Sequence, residues 1–516
     1  MQARLRILHL VCLSAALLTA CAVPASTTVT VPLTGTPEAA ITSPPPTSPP
    51  LLSGRVRQAA VAGSWYPNDP ATLTRLIDEM LATVEPVDGE PIGLIVPHAG
   101  YIYSGPTAAT GFRQLEGVGY DVAIIVASDH RPPVSQPISV WAEGGFATPL
   151  GVVPVDVELA QALISADKRI KSDPAAHEEE HTIEIELPFL QRVCPDCTIV
   201  PILMGRDDEE TIQALVTALL AVLQNVDRRV VLIASSDLSH YPSYDDALAV
   251  DSATLAAIET FEPARVRETL GKMMVKGIPN LVTCACSEGP ILVVMHVAKA
   301  LGADTATVLG YANSGDVSGD HSQVVGYGSV MFWHYEAPAL TDTQRQELLK
   351  LARETIAEYL KTGHTPGYES TDPLMNRRAG VFVTLKERGE LRGCIGHTRA
   401  DLPLYRAVQQ MAIAAATGDP RFPPLKPEEI DDISIEISIL SPMRRVTDLE
   451  QIEVGTHGLV IIKGGHQGLL LPQVPVEQGW GRQEYLANLC LKAGLTPECW
   501  TEQPTLYSFT AVVFGE

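Results

Sequence analysis

The chain has 516 residues, which is longer than one compact core normally requires, so its length favours two domains. Its formal net charge is −24 and it carries no basic run, which excludes nonspecific binding to nucleic-acid phosphates as an expected function.

The first twenty residues have the three-part pattern of a secretory signal. Two arginines precede an apolar stretch, residues 7–18, which is too short to span a bilayer comfortably and is followed by small residues. The letters LTAC, which end at Cys21, resemble the lipobox of bacterial lipoproteins, whose cysteine is lipidated and becomes the mature N-terminus. We therefore expect residues 1–20 to be a lipoprotein signal peptide and Cys21 to anchor the protein to a membrane of the cell envelope, on the extracytoplasmic side. A cleaved signal with a chance cysteine, or an uncleaved hydrophobic N-terminus, is the alternative.

Residues 22–53 are rich in Pro, Thr, Ser and Ala and have too few large apolar side chains to form a core. We expect residues 21–53 to be a lipidated tether.

Export also permits disulfides, so Cys194 and Cys197 are either a tight local bridge or two unpaired thiols. A structural zinc site is not expected there, because no second CxxC or flanking histidine accompanies the pair.

Residues 54–336 alternate strand-length apolar runs with helical patterns, which is typical of an α/β fold. The strand-like runs are continuously apolar, as strands buried on both faces are. They read GLIVPHA, VAIIVAS, TIVPILMG, RVVLIASSD, TVLGYANS and GYGSVMFW.

Polar side chains follow three of these runs. His98 closes the first, His130 follows the second, and Asp237 with His240 follows the fourth. Because sites in open α/β sheets form where loops leave the carboxyl ends of strands, we expect these side chains to meet at one edge. For an isolated histidine a hydrogen-bonded structural role is the alternative, and it carries most weight for His240.

Two neutral imidazoles and one anionic ligand form a facial site for a divalent transition metal with open positions. The candidate anionic ligands are Cys286 and Glu288. A thiolate would favour softer metals and a carboxylate ferrous iron, and the spacing does not choose between them.

The motifs of this domain resemble those of the Memo family, the B component of the AmmeMemoRadiSam system. They are AGSWYP, VPHAGYIYSG, SDHRPPV, EHTIEIELPFL, SSDLSHY and CSEGP, and they cover nearly the whole of residues 54–336. The resemblance implies the fold of class III extradiol dioxygenases and the metal ligands His98, His130 and Cys286.

The resemblance also assigns roles around the metal. His240 falls where those dioxygenases keep an acid/base histidine, and His181 lines the pocket as a second acid/base group or as a structural residue. Asp237 is expected to orient His240 or a metal ligand. The loop before the second ligand reads ASDH where the family often has GPSH, so Asp129 is a competing ligand. Cys284, beside the ligand cysteine, is a possible partner for oxidation after export.

The pattern restarts at Thr341 with a long amphipathic helix that Gly363 is expected to end. Hairpin-like strands and helices follow, so residues 338–516 are predicted to be a separate α+β domain. The predicted hairpins are GVFVTLKERGELRGCIG and GLVIIKGGHQGLLLPQV, and the predicted helices are LPLYRAVQQMAIAAATG and GRQEYLANLCLKAG.

This second domain resembles the AMMECR family, the A component of the same system, through LRGCIGH, GDPRFPPL and LLLPQVPVEQGW. Arg392, Cys394 and His397 lie close in sequence and are a possible second site, in which cations would activate a thiolate. A glycine-shaped turn with a buried cysteine is the alternative and has slightly more weight.

Together these observations predict a metal-binding redox protein that uses iron or copper, with zinc as a further possibility. The alternative is a non-catalytic module that binds a peptide or small ligand, or that sequesters metal. A radical SAM partner is implied only by the family.

Overall fold

The computed structural model describes residues 54–131, 136–502 and 504–516. The predicted signal peptide, the lipidation site Cys21 and the tether lie outside these residues. Within the described ranges, no helix is long and apolar enough to cross a membrane.

A mixed β-sheet lies at the centre of the Memo-like part of the chain. The strands of this part are β1 Val56–Arg57, β2 Pro91–Val96, β3 Val122–Ser128, β4 Ile138–Val140, β5 Gly145–Thr148, β6 Gly151–Pro154, β7 Ile170–Ser172, β8 Thr198–Met204, β9 Val230–Ser235, β10 Thr305–Asn313 and β11 Gly326–Trp333. Eight of them form one sheet in the order β10-β11-β2-β9-β3-β8-β4-β7, and β1, β5 and β6 form a small second sheet. The four central strands, β2, β9, β3 and β8, are parallel.

Helices connect and cover these strands. They are α1 Pro70–Ala82, α2 Tyr101–Phe112, α3 Val157–Ala166, α4 Pro174–Glu178, α5 Leu187–Val193, α6 Glu209–Leu223, α7 Tyr244–Glu259, α8 Pro263–Met274, α9 Glu288–Ala300 and α10 Ser314–Ser318. Helix α9 packs against β2, β3 and β9, so its N-terminus lies beside the carboxyl ends of the central strands. All six predicted strands are present, and the buried residues of β3 explain its unbroken apolar run.

The second part of the chain contains two four-stranded antiparallel sheets. Its strands are β12 Gly380–Glu387, β13 Glu390–His397, β14 Ile433–Leu440, β15 Arg444–Arg445, β16 Gly458–Lys463, β17 His466–Leu470, β18 Thr505–Phe509 and β19 Ala511–Gly515. The sheet orders are β13-β12-β14-β19 and β15-β18-β16-β17. Both predicted hairpins are present, and Gly464 and Gly465 have the positive φ angles, 57° and 82°, that the tight turn between β16 and β17 requires.

The helices of this part are α11 Asp342–Thr362, α12 Pro373–Asn376, α13 Leu404–Thr417, α14 Gln473–Gln478 and α15 Arg482–Lys492. Helix α11 begins with a capping box in which Thr341 and Gln344 satisfy each other's backbone N–H groups, and it ends at Gly363 in the left-handed region. The predicted long helix therefore has the predicted ends.

Four of the cysteines in the described ranges form disulfides. Cys194 is bonded to Cys197, which decides between the two alternatives for that pair. Cys490 at the end of α15 is bonded to Cys499, a bridge that the sequence patterns did not indicate. Among the described residues, Cys284, Cys286 and Cys394 are free thiols.

Candidate metal centre

Three loops meet at the carboxyl edge of the central parallel strands. His98 lies two residues after β2, His130 two residues after β3, and Asp237 two residues after β9. Strand β9 lies between β2 and β3 in the sheet, so the loop that carries Asp237 separates the loops of the two histidines. The parallel topology thus brings these side chains from three distant segments to one place.

The ligand atoms of His98, His130 and Cys286 all lie within 4.8 Å of one another. The Sγ atom of Cys286 is 3.2 Å from Nε2 of His98, and the rings of the two histidines have their centroids 5.4 Å apart in an edge-to-face arrangement. His98 is buried, Cys286 is partly buried and His130 is exposed, so the cluster opens to solvent on the His130 side.

His98 is held both at its imidazole ring and at its backbone. Its Nδ1 atom is 2.9 Å from the hydroxyl of Ser235, and its backbone N–H donates to a carboxylate oxygen of Asp237 at 2.9 Å. Burial, and then the neighbouring His181, lower the pKa of His98 well below its usual value. His98 is therefore a neutral imidazole, which is the form that binds metals.

Cys286 lies immediately before the N-terminus of α9. Its Sγ atom accepts a hydrogen bond from the backbone N–H of Asp237 at 3.2 Å. Burial, and then the carboxyl group of Asp237, raise the pKa of the thiol. Glu288, the other candidate anionic ligand, instead pairs with Arg267 at 3.0 Å. The geometry therefore favours Cys286 as the third ligand.

A second group surrounds Glu180, which the sequence patterns did not single out. His130, Glu180 and His181 also have ligand atoms within 4.8 Å of one another. Nδ1 of His181 donates to Oε1 of Glu180 at 2.9 Å, and the same carboxylate accepts backbone N–H groups of His130 and Thr182. Burial alone would raise the pKa of Glu180, but these hydrogen bonds bring it to about 2. Glu180 is thus an ionised group that orients His181 and the loop of His130.

His181 lies at the mouth of the cluster. Its ring centroid is 5.4 Å from that of His98 and 5.7 Å from that of His130. The ring centroid of Trp65 lies 4.3 Å from that of His181, and the Trp65 side chain is exposed. The motif AGSWYP therefore contributes an aromatic wall to the mouth. Asp129 accepts the backbone N–H of Arg131, so its carboxylate caps a turn.

His240 is partly buried, and its Nε2 atom has no hydrogen-bond partner among the described residues. Burial, and then His130, lower the pKa of His240 to about 4, so it is neutral near pH 7. In the described part of the chain Asp237 makes no hydrogen bond to His240; it holds the backbone of His98, and burial raises its pKa to about 7. The next residue, Tyr241, is exposed and has a φ of 69°, an uncommon conformation for a residue with a Cβ.

The three candidate residues of the second domain do not gather into one cluster. A bulge in β13 directs Arg392 toward Glu429, with which it pairs at 3.1 Å. Nδ1 of His397 is 4.0 Å from a carboxylate oxygen of Asp401. Cys394 is partly buried, accepts a hydrogen bond from Thr384 at 3.3 Å, and has its pKa raised by burial. This environment favours a structural cysteine over an activated thiolate, but the predicted glycine-shaped turn is wrong, because the segment is strand β13.

The donor set fits a transition-metal ion. A metal about 2.0–2.3 Å from each ligand would place a coordinated nitrogen and sulfur roughly 3.5 Å apart, close to the His98–Cys286 distance. Two imidazoles and one thiolate are suitable ligands for copper, iron and zinc. Binding of a metal would displace the thiol proton, whatever its pKa in the metal-free protein.

The fold and the site define an α/β protein with a candidate mononuclear metal centre, joined to an α+β domain. The Memo-like protein family matches residues 57–331, and the AMMECR1 family matches residues 349–514. The chain belongs to the Memo family and carries an AMMECR1 domain after its Memo domain.

Several known proteins are similar to part of this chain. A MEMO1 family protein of Methanobrevibacter smithii is 35% identical over 288 residues, which is 54% of this chain and 99% of the relative. A MEMO1 family protein of Thermotoga neapolitana is 34% identical over 54% of this chain and 99% of the relative. The crystal structure of an uncharacterized protein from Pyrococcus horikoshii is 44% identical, covers 34% of this chain and 93% of that chain, and has a TM-score of 0.33.

Proposed function

We propose that this chain is an exported, lipid-anchored, metal-dependent redox protein related to the non-haem extradiol dioxygenases. Its cofactor is iron or copper, with zinc as a further possibility, and its ligands are His98, His130 and Cys286. The observation that carries the proposal is the convergence of these three ligand atoms within 4.8 Å at the carboxyl edge of the sheet. The substrate is a small molecule or peptide that enters from the His130 side.

A bound metal would supply open coordination positions at which dioxygen or a substrate oxygen is polarised. Proton transfer beside it falls to two histidines of this chain. The Nδ1–H group of His181 donates a hydrogen bond to the carboxylate of Glu180, which leaves Nε2 of His181 free to accept a proton. Nε2 of His240 has no hydrogen-bond partner among the described residues and the ring is neutral, so His240 is able to take up or return a proton during a reaction.

Two observations support export. The lipobox-like ending at Cys21 is the first. The second is the pair of disulfides, Cys194–Cys197 and Cys490–Cys499, because disulfides persist mainly in oxidising compartments. A radical SAM partner remains an implication of the family, and an exported protein would not meet a cytosolic enzyme of that type.

The second candidate function is a non-catalytic module that binds a peptide or small ligand, or that sequesters metal. The exposed aromatic rings of Trp65 and Tyr241, beside His181 and His240, favour it. Aromatic side chains of this kind often anchor a bound partner. A thiolate ligand also suits copper storage, since soft ligands select cuprous ion.

The deciding experiment measures metal stoichiometry by mass spectrometry on anaerobically purified, reduced protein. Wild type should bind one iron or copper ion, and His98→Ala and His130→Ala should bind none. Oxygen consumption with catechols and with peptides then separates turnover from simple binding. If both histidine variants keep the wild-type metal content, or reduced wild type takes up no metal, the cleft is not a metal site and the binding-module function is favoured.

A further inference from the structure

The hydroxyl of Ser235 contacts three groups behind the metal cluster. Its Oγ atom is 2.6 Å from the carbonyl oxygen of Thr182, 2.8 Å from Oε1 of Glu186 and 2.9 Å from Nδ1 of His98. Ser235 and Glu186 are buried, so bulk water does not take part in these contacts. Each of the three distances is that of a hydrogen bond, and each hydrogen bond requires one proton between its two heavy atoms.

Counting protons fixes the direction of every bond. A carbonyl oxygen only accepts, so the single hydroxyl proton of Ser235 goes to Thr182. Ser235 must then accept from both remaining neighbours. Nδ1 of His98 therefore carries a proton, and the carboxyl group of Glu186 carries one as well.

The neighbouring carboxyl groups of the same motif show the contrast. Glu184 pairs with Arg57 and accepts from the hydroxyl of Tyr66 and from two backbone N–H groups, so four donors surround an ionised carboxylate. Glu186 has no cation among its described partners. Burial raises the pKa of Glu186 well above its usual value, which agrees with the proton count.

We propose that Glu186, as a neutral carboxylic acid, and Ser235 are positioning residues that hold His98 in the Nδ1–H tautomer. This tautomer leaves the Nε2 lone pair facing Sγ of Cys286, where a metal would lie. The inference rests on the proposed function for its consequence, because Nε2 of His98 is taken as the metal-binding atom. The tautomer itself does not depend on a metal.

The first test records nitrogen-15 spectra of histidine-labelled, metal-free full-length protein, with His98→Gln to assign the His98 signals. In wild type the proton should be on Nδ1 of His98. In Ser235→Ala and Glu186→Leu the preference of the proton for Nδ1 should be lost. The first variant removes the hydroxyl that accepts from Nδ1, and the second removes the carboxylic acid that holds this hydroxyl in place. Glu186→Gln should retain it, since the amide donates to Ser235 as the protonated acid does.

The second test measures cuprous-ion affinity by competition with a chelator. We expect Ser235→Ala and Glu186→Leu to bind about 10-fold more weakly or worse, and Glu186→Gln to bind like wild type. Glu184→Gln is the matched control: it removes an ionised partner of Arg57 and should lower the thermal midpoint by roughly 5–10 °C. Of these two glutamate-to-glutamine changes, Glu184→Gln should therefore lower the thermal midpoint, whereas Glu186→Gln should leave the cuprous-ion affinity unchanged.

The results are separable from those that test the proposed function. If His98 has its proton on Nδ1 but wild type binds no metal, the proposed function fails and the tautomer assignment stands. If metal-free wild type has the proton on Nε2, or if Glu186→Gln loses the tautomer as Glu186→Leu does, the roles of Glu186 and Ser235 are overturned. Retention of the wild-type tautomer and affinity in both Ser235→Ala and Glu186→Leu would overturn them equally.

Discussion

The sulfur of Cys286 lies 3.2 Å from Nε2 of His98, although 188 residues separate them in the chain. The distance is short enough for both atoms to bind one ion, and the thiolate supplies the negative charge that two imidazoles lack. The identity of this third ligand therefore sets the metal preference of the site.

Exchange of the third ligand should change that preference. Cys286→Ser removes a soft anion and should weaken cuprous-ion binding by about 100-fold or more. Cys286→Asp should regain ferrous iron, because a carboxylate completes the usual two-histidine, one-carboxylate triad. Dissociation constants for both ions, measured anaerobically, test this. Cys284→Ser, which alters a buried thiol outside the cluster, is the control and should bind as wild type does.

Replacement of His240 should separate metal binding from turnover. His240→Ala removes a proton-transfer group that is not a ligand, so metal content should remain at the wild-type level. Oxygen consumption, where wild type shows any, should fall by about 100-fold or more. A variant that consumes oxygen at the wild-type rate would show that another group, such as His181, transfers the proton.

The sequence was sufficient to predict the six long strands of the Memo-like part and the edge at which the site forms, but not the short strands β1, β4, β5, β6 and β7. Continuous apolar runs of strand length indicate strands buried on both faces, and the parallel arrangement then brings His98 and His130 to the same edge. The position of β9 between β2 and β3 could not be predicted, since strand order depends on long-range packing. The sequence consequently left open whether Asp237 contacts His240 or a metal ligand, and the structure shows that it accepts the backbone N–H of His98.

The supporting carboxyl groups were also missed. Glu180, Glu184 and Glu186 fall in the motif EHTIEIELPFL, where three acids lie in an otherwise apolar stretch. That pattern is a usable signal, because buried acids require partners. It could not say that Glu184 is ionised and Glu186 protonated, since the difference depends on Arg57, more than one hundred residues away in the chain.

Substitution of the predicted lipidation site should change where the protein is found. Cys21→Ser removes the acyl acceptor, so the protein should move from the membrane fraction to the soluble fraction with its fold intact. Fractionation followed by mass spectrometry of the N-terminal peptide tests both points. Equal membrane retention of the variant, without an acyl group on wild type, would contradict the lipoprotein assignment.

The two predicted domains should fold separately. One cluster of buried residues runs from Val61 to Trp333 and another begins at Leu340, so each part has a core of its own. Ion pairs such as Arg377–Asp88, which is half-buried, join them. Residues 54–336 and 338–516, expressed alone, should each unfold cooperatively in urea. Aggregation of either piece, with a soluble parent chain, would place the boundary elsewhere.

The buried histidine His177 should make the protein less stable as the pH falls below about 6.5. Its ring packs against Trp141 and Phe146, and burial, followed by the charge of Arg57, lowers its pKa to about 3. Unfolded protein takes up a proton on this histidine below about pH 6.5, whereas folded protein does not until about pH 3, so acid favours the unfolded state across that window. The contribution of His177 to the loss of stability between pH 7 and pH 5 is about 2 kcal/mol.

Urea unfolding at both pH values should show a smaller loss of stability for His177→Gln than for wild type, whatever the cost of the substitution at pH 7. His364→Gln, which changes an exposed histidine, should leave the loss unchanged. Equal losses for His177→Gln and wild type would mean that this histidine is protonated in the folded protein.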